Sequence, residues 1–160
     1  MLSTSGHRWG AAVRAVLNAV NLTTATGLLI AVAGRSRLRG GGSGLVLAEH
    51  YRLGIPRRGA FTIGNVVLFP GGSLDDLAQQ YPDILDHEAA HAWQYAACVG
   101  LPFFPLYAVA SGWSWLRTGD AASANFFERA AGLSRGGYIE QPRNNAGWNR
   151  LIGGPGRPRP

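Results

Sequence analysis

The chain has no lysine. All fifteen basic side chains are arginine, set against nine acids, for a formal charge of +6. An arginine-only basic set is what codon bias in a GC-rich genome produces. The arginines are scattered, and five of them fall from Arg135 onward. No aromatic-basic repeat or nucleic-acid motif accompanies them, so no specific nucleic-acid partner is expected. The surface reads as solvated and mildly basic, with a general preference for anions. The lone cysteine, Cys98, excludes an internal disulfide and any multi-cysteine zinc knuckle. The run "GGGSG" at 40–44 has no lysine and no following helix, which excludes a phosphate-binding loop. Charged residues make up only 15% of the chain and hydrophobic ones 46%, so the composition is not that of a disordered protein. No internal repeat is visible, and 160 residues suit one domain with a moderate core.

Residues 15–34, "AVLNAVNLTTATGLLIAVAG", carry no charge. Arg8 and Arg14 precede the stretch, and Arg35, Arg37 and Arg39 follow it. Its length is enough to cross a bilayer as a helix. Asn18, Asn21, Thr23, Thr24 and Thr26 make it weakly apolar for that role. Val13, Leu17, Val20, Gly27 and Ala31 recur at helical spacing, which equally fits a packed helix or one lying on a membrane surface. A secretory signal ending at "AVAG" is a third reading. Localisation therefore stays open between the cytoplasm and a membrane, and so does a bilayer or membrane-surface partner.

Residues 34–44 read as a linker. "LVLAEHYRL" (45–53) and "GAFTIGNVVLF" (60–69 at its core) read as strands, paired antiparallel through the "GIPRRG" turn. Residues 74–100 are patterned as helix, with a break near Pro82 and an apolar stripe of Leu85, Ala89, Ala92, Ala96 and Val99. A further helix is expected from near Pro105. Asp120 is placed to cap another through "AASANFFERAAGL". The tail 138–160 reads as poorly ordered, with Trp148 as an anchor. The expected organisation is a terminal apolar helix and linker (1–44), a core (45–137) and the tail (138–160).

The stretch "DHEAAHAWQY" at 86–95 carries the chemistry. His87 and His91 are one helical turn apart, so their imidazoles can meet at one zinc ion. Glu88 is turned about 100° away, out of the ligand set but within reach of a zinc-bound water. It can accept the water's proton and pass it to a leaving amine. With four histidines and four glutamates in the chain, chance spells H-E-x-x-H in about one such sequence in four hundred. The alternative is a surface helix with an accidental pair. Gln94, three residues after His91, either bonds near the site or is plain surface.

A third ligand must come from elsewhere: Asp120, Glu128 or Glu140 downstream, or His50 upstream. Glu128 fits best, because Ala121, Ala124 and Ala131 on its face permit close helix approach. Asn125, one turn earlier, could steady the ligands from outside. Otherwise Glu128 is an exposed residue paired with Arg117 or Arg135.

HEAAH followed by a glutamate on a later helix resembles the gluzincin class of zinc metallopeptidases. More narrowly, "TIGNVVLF", "ILDHEAAHAWQY", "FPLYAVA" and "NFFERAAGL" together resemble small bacterial proteins with a minimal gluzincin-like core, over roughly 45–134. The resemblance implies an α+β, mainly helical zincin-like fold: a strand pair, an HExxH helix and a glutamate helix, preceded by the apolar helix. It implies Zn2+ bound by His87, His91 and Glu128, with Glu88 as acid/base and peptide as substrate. It also implies that the 60–69 strand pairs with extended substrate. The chain departs from that class in lacking the aspartate usually found after the glutamate. No residue is singled out to stabilise the oxyanion; Tyr107, Tyr138 and His50 are the candidates. The expected activity is zinc-dependent peptide hydrolysis. The alternative is a non-catalytic metal-binding or membrane-associated protein with the same fold.

Overall fold

The computed structural model describes residues 4–54 and 59–153, with side chains from residue 9 onward. The chain is α+β, with seven helices and a four-stranded mixed sheet among the described residues. It divides into two compact units, Met1–Phe103 and Phe104–Pro160.

The first unit holds the sheet. α1 (Thr4–Val20) and α2 (Thr23–Ala33) replace the single apolar helix expected over 15–34. The break falls at Asn21–Leu22, where Leu22 takes a left-handed φ of 66° and Asn21 Oδ1 accepts from the Thr23 N–H and hydroxyl. No single described helix is long and apolar enough to cross a membrane; Trp9–Val20 and Thr23–Ala33 pass together but are bent by 76°. The 34–44 segment is not a plain linker, since Arg37–Gly40 form β1.

The strand pairing also differs from expectation. Residues 60–69 are not one strand but a hairpin, β3 (Phe61–Ile63) and β4 (Val66–Leu68), turning at Gly64–Asn65. Gly64 has a φ of 61°, and a Cβ there would lie 2.5 Å from the Thr24 nitrogen. A two-residue turn with glycine first is a favoured hairpin closure, and no larger residue fits here. β2 (Val46–Glu49) pairs antiparallel with β1 and parallel, not antiparallel, with β4, giving the order β1-β2-β4-β3. The linking turn at 55–58 lies outside the described residues. β4 is central and buried throughout, as its continuous apolar run requires.

The sheet has a helix on each face. Val67 and Leu47 join Leu45, Phe69, Leu74 and Ala92 in the core beneath α3 (Leu74–Gln80) and α4 (Ile84–Ala97). On the other face α2 approaches so closely that a Cβ on Gly27 would lie 2.6 Å from the Ile63 carbonyl oxygen. The expected break near Pro82 separates α3 from α4. Glu49, at the end of β2, fixes α3: its Oε1 accepts from the Leu74 N–H at 2.7 Å and from Arg39 at 3.1 Å.

The second unit is built on α5 (Phe103–Thr118), which starts two residues before the expected Pro105. Ser114 Oγ accepts from the Ala124 N–H and donates to the Asp120 carbonyl, holding the chain that leads to α6 (Phe126–Ala131). α6 is shorter than expected. Asp120 does not cap it; its Oδ2 closes a tight turn by accepting from the Ala122 and Ser123 N–H groups. The N-cap is Asn125, whose Oδ1 accepts from the Phe127 N–H at 2.9 Å. Within the expected tail, Ala146–Ile152 form α7, and residues 154–160 lie outside the described residues.

Candidate metal centre

α4 carries the motif on its buried face. Ile84, His87, Glu88, His91, Ala92 and Tyr95 are buried, whereas Val99 of the expected apolar stripe is 77% exposed. The helix is thus rotated toward its polar residues relative to the expected face. Leu85 and Ala89 are only partly buried against the core cluster. Packing of α4 on β3 explains the rotation, because Thr62 of β3 donates to Glu88 Oε2 at 2.6 Å. Thr62 pairs in register with Val67, so both point to the α4 side of the sheet.

The two imidazoles converge through their Nε2 atoms, 3.1 Å apart, with ring planes at 88°. Two nitrogens bound to one tetrahedral zinc at about 2.05 Å would be about 3.3 Å apart, so the pair is already at ligand spacing. Gln94 Oε1 lies 2.8 Å from His91 Nδ1. An amide oxygen there accepts from Nδ1–H, which leaves the Nε2 lone pair directed at His87. The Phe103 ring stands 6.5 Å from that of His91 and 4.4 Å from that of Tyr95, forming an apolar wall. Burial, and next the Glu88 charge, push the Tyr95 pKa upward and keep its phenol neutral.

The ligand atoms of His87, His91 and Glu128 all lie within 4.8 Å of one another, and all three side chains are buried. Two imidazoles and a carboxylate are a donor set that divalent metals accept, and this cluster could hold a metal ion. Glu128 is the third residue of α6, the position from which a glutamate would normally reach back to its N-cap. Here its Oε1 instead accepts a short hydrogen bond from the Tyr107 hydroxyl. Burial, then the Glu128 charge and this hydrogen bond, push the Tyr107 pKa upward, so the phenol remains a donor.

The remaining candidates are occupied elsewhere. Asp120 closes its turn, and Glu140 is exposed and ion-paired with Arg129. His50 is exposed at a φ of 57° and stands outside the three-residue cluster. Asn125 was expected to steady the ligands from outside. Its carboxamide bonds to the Phe127 N–H and Ser111 Oγ, which fixes the start of α6, the helix that carries Glu128. Tyr138 is 40% exposed, after α6, and its charge adds to the upward push on the Tyr107 pKa.

Sequence reasoning missed Thr62 and did not single out Tyr107. Thr62 needs the hairpin register to be seen. Tyr107 had a signal: Tyr107, Ser111, Ser114 and Thr118 are spaced four, three and four along an otherwise apolar helix. Comparison of the chain with protein-family models, with characterised proteins and with solved structures returned no match.

Proposed function

We propose that the chain is a zinc-dependent hydrolase of peptide bonds, with His87, His91 and Glu128 as ligands and Glu88 as proton carrier. The observation that carries this reading is the buried convergence of two Nε2 atoms and one carboxylate. Bound zinc would polarise a carbonyl and acidify a coordinated water. Glu88, adjacent to His87 and about 100° round the helix, takes the water's proton and returns it to the leaving amine. Thr62 holds one oxygen of that carboxylate and so fixes its direction. Gln94 orients His91, and Tyr107 orients Glu128. β3 is an edge strand beside α4, and its outer side offers backbone groups to an extended peptide. The resemblance to gluzincins supports the same assignment of roles.

A second reading is a metal site without turnover. It keeps the same three ligands and leaves Glu88, held by Thr62, as a structural carboxylate. Zinc content and peptide cleavage, measured side by side, decide between the two. Wild type should carry stoichiometric zinc that is lost in His87→Ala and in Glu128→Ala. Zinc retained in Glu128→Ala overturns the ligand set. Zinc-loaded wild type that cleaves a peptide library no faster than Glu88→Gln selects the second reading.

A further inference from the structure

α1 is built inside out. Its inward face carries Arg14 and Asn18, 2% and 0% exposed. Its outward face carries Trp9, Val13, Val16, Leu17 and Val20, at spacings of four, three, one and three. Arg14 donates to Asn65 Oδ1 at 3.0 Å and to the Ser43 carbonyl; Asn18 donates to the Ala92 carbonyl at 2.7 Å. These bonds lock the polar face onto the sheet turn and α4, so α1 cannot roll to hide its apolar face. α2 continues the pattern, packing inward through Thr23, Gly27 and Ala31 and exposing Leu22, Leu29 and Val32. A helix in water shows the opposite polarity.

We propose that the outer face of the α1–α2 elbow lies in the plane of a membrane surface that contains anionic lipid. Charge selects this occupant over a second copy of the chain. Of the arginines in the first 48 residues, Arg14 is buried and Arg39 is paired with Glu49 and Asp75, so the exposed charge beside this face is that of Arg35 and Arg37; two such faces repel each other, while anionic headgroups attract them. Arg35 and Arg37 are exposed immediately beyond α2, where they can meet headgroups. Trp9 is 74% exposed at the start of the apolar stripe, and its ring suits the headgroup boundary. The 76° bend and the hydrogen bonds that hold α1 to the sheet place the elbow along the surface rather than through the bilayer. This inference does not depend on the metal reading.

The test is flotation of the full chain with phosphatidylcholine vesicles, with or without phosphatidylglycerol. Wild type should float with the anionic vesicles, bind neutral ones at least about tenfold more weakly, and be released by alkaline carbonate. Val16→Glu/Val20→Glu should abolish flotation. Arg35→Gln/Arg37→Gln should weaken it about tenfold or more on anionic vesicles only. Both pairs are exposed, and an unchanged far-UV spectrum confirms that the fold persists. Flotation unaffected by the two glutamates overturns the proposal. So does resistance to carbonate, which marks a spanning segment. A wild-type dimer that fails to float and becomes monomeric in Val16→Glu/Val20→Glu makes the face an interface between copies instead.

Discussion

α1 and α4 both bury polar side chains, but the partners they find there are of different kinds. On α1 donors meet neutral acceptors: Arg14 meets Asn65 and the Ser43 carbonyl, and Asn18 meets the Ala92 carbonyl. On α4 like meets like: Nε2 of His87 faces Nε2 of His91, and a carboxylate belongs to the same cluster. The first arrangement is closed by hydrogen bonds alone. In the second, two imidazole nitrogens share at most a proton, whereas a divalent cation satisfies both and the carboxylate as well. Burial of a polar group is therefore a poor guide to function, and the chemistry of its partners is a better one.

The sharpest way to break this contrast is at Glu88. Glu88→Gln should slow cleavage of a wild-type substrate by about 10²–10⁴-fold, roughly 3–5 kcal/mol of barrier, with zinc content unchanged. Equal rates in the two proteins would remove catalysis from α4. Chelation is the next largest effect. If free zinc exceeds its Kd by a factor of about 1,000, wild type gains about 4 kcal/mol of stability that a chelator removes. His91→Ala should melt at the same temperature with or without chelator. A wild-type melting curve indifferent to chelator would make the α4 cluster as purely structural as that on α1.

Two paired substitutions sharpen the comparison at smaller amplitude. Asn18→Leu removes the second donor to the Ala92 carbonyl, which keeps its helix hydrogen bond, and should cost about 1 kcal/mol of stability, without changing zinc affinity. Gln94→Leu should do the reverse, weakening zinc about 10–100-fold, because His91 loses the group that sets its tautomer. Urea melts in chelator and zinc titrations of both variants give the four numbers. A zinc affinity that fell equally in both would mean that the two helices act as one network.

What could be read from the sequence divides along the same line. His87 and His91 were legible because helical spacing alone places them on one face; Glu128 was picked for the small residues on its expected face, but α6 begins at Phe126, so of those residues only Ala131 shares its helix. The break at Pro82 was legible because proline cannot donate a helix hydrogen bond. The hairpin inside 60–69 was not, since "FTIGNVVLF" alternates well enough to pass as one strand, and only the Gly64 turn geometry divides it. β1 was hidden in an Arg/Gly-rich segment whose composition resembles a linker; what makes it a strand is pairing with β2. The orientation of α4 was misjudged because alanines mark an apolar stripe too weakly to outweigh the Thr62–Glu88 bond.

A smaller effect comes from Glu49, a third buried polar group, whose partners are of the α1 kind plus one cation. Burial raises its carboxyl pKa. The hydrogen bond and charge of Arg39, with the Leu74 N–H and the Ser73 hydroxyl, outweigh that and hold it below its ordinary value. The folded protein therefore binds the Glu49 proton less readily than the unfolded chain does. The resulting stability is fully present above the unfolded pKa and is lost as pH falls through the lower folded one. Arg39 and Asp75 stand partly in solvent, so the discounted contribution is about 1 kcal/mol at neutral pH. Urea midpoints of wild type and Glu49→Gln should differ by that amount near neutral pH and converge as pH falls through the carboxylate range. A gap that stays constant across this range would show that the carboxylate acts only as a neutral cap on α3. Arg39 would then be irrelevant to it, and the α1 pattern of neutral closure would extend to β2.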